Sequence, residues 1–379
     1  MLNRRTLLGR ALLGGVLALT PGLAVAAMPG ERRFVFVILR GAMDGLGAVM
    51  PVGDPSYAPL RGALAMPPGV AAKLDAMFAL HPALVETAKM YAAGEALVVH
   101  AVASPYRERS HFDAQNVLET GGTAAYALKD GWLNRLVGVL PRDPAIAIAA
   151  TVPMVLRGAA TVGSYAPSAL PQASDDLMAR VGALYAGDAQ LHPLWSAAID
   201  ARALAGTDGA GRSNPQALGR LAATVLVKPD GPRIATIEIG GWDTHAAQAG
   251  RLNGALKQLD GTLAALKAGL GPMWANTVVL AATEFGRTAA VNGTGGTDHG
   301  TGGAAFVAGG AVRGGRVVAD WPGLMPGQLF EGRDLRPTTD LRGVMLGLAA
   351  ESFGLDPARL APQLFPGGGV RAMTGLVRA

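Results

Sequence analysis

Apolar runs of strand length alternate with helical patterns along most of the chain. Each run is short, rich in β-branched residues or alanine, and bounded by glycine or polar residues, which is typical of buried strands. The clearest runs are FVFVILR at 34–40, ALVVHAVA at 96–103, RIATIEI at 233–239 and NTVVLAA at 276–282. AIAIAA at 145–150 and AAFVAGG at 304–310 predict two further strands.

Helical periodicity fills several stretches between these runs. Leucines at 252, 256, 259, 263 and 266 recur every three or four residues, which predicts a long amphipathic helix. Ser110 as N-cap and Asp113 in the first turn predict a helix that ends at Gly121. Other predicted helices cover 81–93, 131–140, 174–186, 192–205 and 340–354, and a flexible joint is expected at 206–215. This alternation predicts an α/β sandwich, with a central, mostly parallel sheet flanked by helices.

The first 27 residues have the pattern of an export signal. NRRTLL at 3–8 is a twin-arginine start, an apolar stretch follows from 11 to about 24, and AVA at 24–26 is a small-residue cleavage site. Pro21 interrupts the apolar stretch, which favours cleavage over a retained membrane anchor. We therefore expect the twin-arginine export machinery as a partner, a periplasmic or secreted location, and one mature domain at 28–379 that is not stably inserted in a membrane.

Composition narrows the possible chemistry. Half of the 379 residues are hydrophobic, which is ample for a large core. The chain has no cysteine, which excludes disulfides, thiolate metal ligands and a cysteine nucleophile. The formal net charge is +5, and no lysine-rich or aromatic-studded basic stretch is present. We therefore expect no nucleic-acid partner.

The strongest chemical signal lies where predicted strands end. GGWDTHAAQ at 240–248 and TEFGRT at 283–288 directly follow apolar runs, and ligands of open parallel sheets gather at the carboxyl ends of strands. We expect one shared pocket to contain Asp44, Asp243, His245, Glu284, Asp298 and His299. Carboxylates combined with imidazoles are metal-ligand chemistry, and a divalent ion (zinc, manganese, calcium or magnesium) would relieve their mutual repulsion. The alternative is that these side chains only cap turns.

Candidates for catalysis lie in or beside the same motifs. Arg287 and Arg109 suit an anionic substrate such as a phosphate or sulfate ester, or they form salt bridges with local carboxylates. Ser110 stands at a helix N-terminus, where a metal ion can activate its hydroxyl as a nucleophile, or it serves only as the N-cap. His111 is a candidate metal ligand, proton donor or capping partner.

Seven ordered motifs carry a family resemblance: LRGAMDGL, SPYRERSHFDAQNVLETG, GWLNR, GGWDTHAAQ, TEFGRT, GTDHGTG and RDLRPTTDLRGV. From about 34 to 355 the chain resembles the bacterial family known as domain of unknown function 1501. That family looks distantly similar to the alkaline phosphatase and sulfatase superfamily, whose α/β sandwich carries metal ligands at strand ends. The resemblance implies that Asp44, Ser110, Asp243 with His245, Glu284 and His299 occupy the superfamily's site positions.

Two functions follow from this resemblance. The first is an exported, metal-dependent hydrolase or transferase that acts on a phosphate or sulfate ester of a small molecule or glycan, with Ser110, His111 and Arg287 in catalytic roles. The second is a non-catalytic periplasmic binding or partner protein on the same fold. Phe285 stands where two-zinc phosphatases have a histidine, and the sulfatase nucleophile string is absent.

Overall fold

A large mixed sheet forms the centre of the molecule. The computed structural model describes residues 32–67, 69–140, 144–166, 175–205 and 214–378. Its strands are Arg33–Leu39 (β1), Val49–Met50 (β2), Ala72–Lys73 (β3), Ala79–Leu80 (β4), Ala96–Ala103 (β5), Ala145–Ile148 (β6), Gly163–Ser164 (β7), Ile234–Ile239 (β8), Thr277–Thr283 (β9), Gly303–Ala308 (β10), Arg316–Val318 (β11) and Thr339–Asp340 (β12).

The large sheet has nine strands, in the order β11-β5-β10-β9-β1-β8-β6-β7, with β12 also paired to β5. β1 lies at its centre and pairs in parallel with β8 and β9. β10 is antiparallel to both of its neighbours, β5 and β9, whereas the other pairs in this sheet are parallel. A separate small antiparallel sheet contains β2, β4 and β3.

Helices cover both faces of the large sheet. They are Gly45–Ala48 (α1), Tyr57–Arg61 (α2), Val85–Ala92 (α3), His111–Thr120 (α4), Trp132–Val139 (α5), Asp175–Tyr185 (α6), Leu191–Ala205 (α7), Pro215–Leu226 (α8), Gln248–Leu270 (α9), Leu341–Phe353 (α10) and Pro357–Leu364 (α11). None of the helices in the described ranges combines the length and apolar character needed to cross a bilayer.

Two hydrophobic cores fill the space between the sheet and its helical layers. Because side chains alternate along a strand, Phe34 and Phe36 of β1 pack into one core, with residues of α5, α10 and α11. Val35 and Val37 pack into the other core, with residues of α8 and α9. Burial on both faces explains why β1 is apolar from Phe34 to Leu39.

The predicted α/β sandwich with a mostly parallel sheet is confirmed. The predicted strands are present with small shifts at their ends, and the helix expected from 81 begins at Val85. α8, α11 and the small sheet were not predicted. The leader at 1–27 and most of the joint at 206–215 lie outside the described residues.

Candidate metal centre

The site lies at one edge of the large sheet, where β1, β8 and β9 end. Asp243 follows β8, and Glu284 comes directly after β9. β10 runs in the opposite direction, so its start lies at this edge and brings the preceding His299 with it. α4 adds His111 from its first position. Because β10 runs antiparallel to β9, His299 lies near Asp243 and His111 although these residues are far apart in sequence.

Glycines allow the loops at this edge to approach closely. Gly41 has a φ of +118°, and a Cβ there would lie 2.7 Å from the backbone nitrogen of Asp243. A Cβ on Gly300 would lie 2.4 Å from the carbonyl carbon of Arg287. Because glycine has no side chain, these segments can pack backbone against backbone. The glycine-rich composition of the loops thus serves the geometry of the site.

Three histidines and one aspartate converge at this edge. Ligand atoms of His111, Asp243 and His299 all lie within 4.8 Å of one another. His245 joins them, since its Nε2 lies 2.9 Å from an oxygen of Asp243 and 2.9 Å from Nε2 of His299. His111 Nε2 is 3.5 Å from the other oxygen of Asp243. These four residues are called the histidine cluster below.

Hydrogen bonds at the far side of each ring assign the tautomers of the cluster. Nδ1 of His111 lies 2.9 Å from Oε1 of Glu284, and Nδ1 of His299 lies 2.9 Å from the carbonyl oxygen of Arg109. Nδ1 of His245 lies 3.2 Å from Oδ1 of Asp298. Carbonyl and carboxylate oxygens only accept, so each Nδ1 carries the hydrogen. In its neutral form, each imidazole then presents the lone pair of Nε2 to the cluster.

This donor set fits a metal ion. His111 Nε2 is buried and has no hydrogen-bond partner within the described part of the chain. With both Nδ1 atoms protonated, the lone pairs of His245 and His299 face each other at 2.9 Å and repel unless a proton or cation lies between them. Metal-ligating histidines commonly donate their second N–H to a carboxylate or a carbonyl, as all three do here. Three imidazole nitrogens and one carboxylate oxygen suit zinc better than calcium or magnesium.

Asp243 is fixed from behind by a buried arginine. Nη1 of Arg287 donates to Asp243 Oδ1 at 2.6 Å, and the Arg287 side chain has no exposed surface. The other guanidinium nitrogens of Arg287 donate to the hydroxyl and carbonyl of Thr297. Of the alternatives that the sequence left open for Arg287, the structure therefore has the salt bridge.

The cluster perturbs the pKa values of its members in opposite directions. The hydrogen bond to Glu284 raises the pKa of His111, against the effect of partial burial. Burial lowers the pKa of His299, and the nearby positive charges act in the same direction. Burial alone would raise the pKa of Glu284, but hydrogen bonds led by that from His111 hold it below its usual range. A carboxylate that stays ionised keeps the proton on His111 Nδ1.

Glu284 and Asp298 contact the cluster from its outer side. Glu284 is fully buried and accepts hydrogen bonds from the Gly41 N–H at 2.8 Å and from Gln115 Nε2 at 3.1 Å, besides that from His111. Asp298 is exposed and also accepts from Asn292. Both carboxylates were predicted as metal ligands, and the structure places them against histidine rings.

The structure does not bring Asp44 into the cluster. Its carboxylate is buried and pairs with the guanidinium of Arg61, while Gln248 donates a further hydrogen bond to it. Gln248 in turn accepts from Thr297, the residue that Arg287 contacts. Asp44 thus reaches the cluster only through a chain of hydrogen bonds.

The remaining candidates have separate places. Ser110 is the N-cap residue of α4, as predicted, but its hydroxyl makes no capping hydrogen bond. Arg109 pairs with Glu331 and Asp334.

Gln115 and Arg61 are among the supporting residues that were not predicted from the sequence. Gln115 follows His111 by four positions on α4, so helical spacing indicated that it shares its face. Arg61 lies on a five-residue helix after a proline-rich loop, where no sequence pattern indicates a partner for Asp44.

The structure is similar to several solved structures at low identity. They include the C-terminal periplasmic domain of EcEptC from Escherichia coli (11% identity, 94% of this chain and 93% of that chain, TM-score 0.43). They also include BT1596, a 2-O GAG sulfatase (11%, 88% and 74%, 0.43), and the alkaline phosphatase of the Antarctic bacterium TAB5 (13%, 76% and 94%, 0.38). With TM-scores below 0.5, this likeness by itself assigns no activity and no residue.

No curated protein matches the sequence. The model of one protein family, described as "Protein of unknown function (DUF1501)", matches residues 31–365. This match covers nearly all of the described structure, including every residue of the histidine cluster. The chain therefore belongs to the DUF1501 family.

Proposed function

We propose that this protein is a metal-dependent hydrolase or transferase of phosphate or sulfate esters, with a single divalent ion bound by the histidine cluster. The observation that carries the proposal is the convergence of three Nε2 lone pairs on Asp243, each ring held by an acceptor at Nδ1. Zinc is the ion that this donor set favours. Such an ion, when bound, acts as a Lewis acid on the ester oxygen and lowers the pKa of a coordinated nucleophile.

The exposure of the cluster supports a catalytic rather than a structural metal. Asp243 has 45% of its side chain exposed, and His245 has 44% exposed. Structural zinc sites are closed by protein ligands, whereas catalytic sites keep a position open to substrate. An anionic ester group, from a small molecule or a glycan, can reach the cluster from this open side.

Ser110 is the proposed nucleophile. It precedes His111 directly, and the main-chain N–H groups at the start of α4 favour a negatively charged group beside it. Its hydroxyl makes no capping hydrogen bond to the first turn of α4. The residue after Ser110 is His111, one of the proposed metal ligands. Arg287 holds another proposed ligand, Asp243, in place.

Metal analysis combined with an ester assay tests the proposal. We expect the purified protein to contain one zinc per chain and to hydrolyse 4-nitrophenyl phosphate or 4-nitrophenyl sulfate, with activity lost on chelation. Asp243→Ala should remove both zinc and activity, because it deletes the oxygen ligand. Ser110→Ala should retain zinc and lower kcat at least about 1,000-fold.

His192→Ala is the matched control, since His192 is an exposed histidine on α7 outside the cluster. It should change neither zinc content nor kcat. A protein that binds zinc but turns over neither ester would favour the non-catalytic binding function. A protein that takes up no divalent ion would refute both the metal centre and the hydrolase.

We also propose that the chain is exported by the twin-arginine pathway and acts in the periplasm or outside the cell. The leader pattern at 3–26 supports this location. Export of an already folded chain would allow the metal to be bound before translocation.

A further inference from the structure

Asp334 is a buried carboxylate that joins two arginines beside the histidine cluster. It has no exposed surface. Its Oδ2 accepts from Arg109 Nε at 2.9 Å, and its Oδ1 accepts from Arg333 Nε at 2.9 Å. It lies in the RDLRP motif, which no step of the proposed function uses.

Both arginines also hold His299. The carbonyl oxygen of Arg109 accepts the Nδ1 hydrogen of His299 at 2.9 Å. Nη2 of Arg333 donates to the carbonyl oxygen of His299 at 2.6 Å. Asp334 therefore connects Arg109, which contacts the ring of His299, with Arg333, which contacts its main chain. No other carboxylate in the described ranges contacts both arginines.

The backbone of Arg109 needs such an anchor. Its φ is +62°, a conformation that costs a non-glycine residue free energy. Such a conformation persists only where contacts with the surrounding structure offset this cost. The guanidinium is held by Asp334, by Glu331 and by the face of Phe330, whose ring centroid lies 5.9 Å away. These contacts stabilise the conformation in which the Arg109 carbonyl accepts from His299.

Asp334 itself is held by a tight turn. The N–H of Arg333 donates to the carbonyl of Phe330 at 3.1 Å, and the two central residues, Glu331 and Gly332, have φ values of +53° and +66°. Positive φ at both central positions is typical of a type I′ turn. The N–H of Phe330 then donates to the carbonyl of Asp334 at 2.8 Å. These hydrogen bonds fix the backbone position from which the Asp334 side chain extends.

We propose that Asp334 is a positioning residue of the metal centre, which sets the tautomer and direction of His299 through Arg109 and Arg333. This inference rests on the proposed function, in which the histidine cluster binds a divalent ion. Hydrogen-bond partners behind a ligating histidine commonly change metal affinity by about 10- to 100-fold when they are removed. Asp334 acts one contact further out: it contacts Arg109, which accepts from the His299 ring, and Arg333, which donates to the main chain of His299.

The test measures zinc affinity by competition with a chromophoric chelator, together with thermal unfolding of the metal-free protein. Asp334→Asn should weaken zinc binding about 10-fold or more. The matched control is Asp260→Asn, which alters another buried aspartate that accepts hydrogen bonds from Glu86 and Thr87. It should lower the unfolding temperature and leave the zinc Kd unchanged.

Arg109→Gly separates positioning from simple electrostatics. Glycine tolerates the positive φ and keeps the carbonyl, but the guanidinium anchor and its positive charge are lost. If charge alone mattered, removal of a cation near the site would tighten zinc binding. If Arg109 instead positions His299, the Arg109→Gly variant should bind zinc more weakly than the wild type. Arg333→Ala, at a side chain that is 45% exposed, makes the same prediction with little risk to folding.

The outcomes are distinct. Weaker zinc binding in Asp334→Asn, Arg109→Gly and Arg333→Ala, with Asp260→Asn unaffected, supports the inference. Zinc binding by the wild type with unchanged or tighter affinity in the two arginine variants overturns the inference and leaves the proposed function intact. Absence of binding of any divalent ion by the wild type overturns both.

Discussion

Histidine tautomers differ between the site and the core. In the cluster, each Nδ1 donates and each Nε2 faces Asp243. His100 on β5 has the reverse arrangement, because the Ala101 N–H donates to its Nδ1 at 2.8 Å and its Nε2 donates to the Val49 carbonyl at 2.9 Å. Protonation of His100 would set a new N–H against that of Ala101. A histidine with both nitrogens engaged by main chain is a structural residue.

The buried His100 predicts that acid destabilises the protein. Burial lowers the pKa of His100 to about 4. The hydrogen bond to the Val49 carbonyl and the negative charge of Asp44 act in the opposite direction but are weaker. Between pH 6.5 and 4 the unfolded chain binds a proton at this position that the folded chain does not, so stability falls as the pH is lowered. The free energy of unfolding should decrease by about 1 kcal/mol per pH unit from this residue.

Urea unfolding at pH 7 and pH 5 measures this effect. His100→Gln should be less stable than the wild type at pH 7, yet lose less stability on acidification. Burial also lowers the pKa of His81, so part of the decline will persist in the variant. Equal declines in the two proteins would contradict the assignment.

At the level of elements, α8 and α9 form the main helix pair on one face of the sheet. The leucine pattern of α9 was recognised in the sequence, and its leucines are buried in the core that faces α8. α8 was missed although its start signals are present: the Asn214 side chain accepts from the Ala217 N–H, and Pro215 occupies the first turn. The glycine-rich stretch 206–215, which includes Asn214 and Pro215, was interpreted as a flexible joint.

Glycines in these two helices predict opposite effects of alanine. A Cβ on Gly219 of α8 would lie 2.8 Å from the carbonyl oxygen of Thr262 on α9, whereas a Cβ on Gly254 of α9 meets nothing within 4 Å. Gly219→Ala should destabilise the protein by about 1–3 kcal/mol, because the helices must move apart. Gly254→Ala should stabilise it by about 1 kcal/mol through helix propensity. Thermal or urea unfolding of both variants measures the contrast, and the same sign of change in both would refute the packing argument.

For the whole molecule, the leader predicts how the protein reaches its location. Replacement of both arginines, Arg4→Lys with Arg5→Lys, should retain the protein in the cytoplasm, because the twin-arginine signal requires the pair. Arg10→Lys is the matched control, since it changes an arginine of the same leader outside the pair. Fractionation followed by immunoblotting measures both variants. Periplasmic protein in the double variant would argue for a different route.

The sequence predicted the sheet and the edge at which the site lies, but not the detailed division of roles within the site. Apolar runs identify strands, and residues that follow those strands include Asp243 and Glu284. An apolar run carries no information on strand direction, so the reversal of β10 was not predicted. Nor can spacing show that Asp44 pairs with Arg61 or that Glu284 contacts His111, because these contacts depend on how separate loops fold over the sheet edge.

The reversed strand β10 has a consequence for engineering of the site. Since β9 and β10 are antiparallel neighbours, the loop 284–302 between them starts and finishes at the same edge, without a crossover helix. That single loop supplies Glu284, Arg287, Asp298 and His299. One continuous segment therefore carries one member of the histidine cluster and three residues that support the others, so a laboratory graft of 284–302 would transfer these four residues together without changing the strands beneath them.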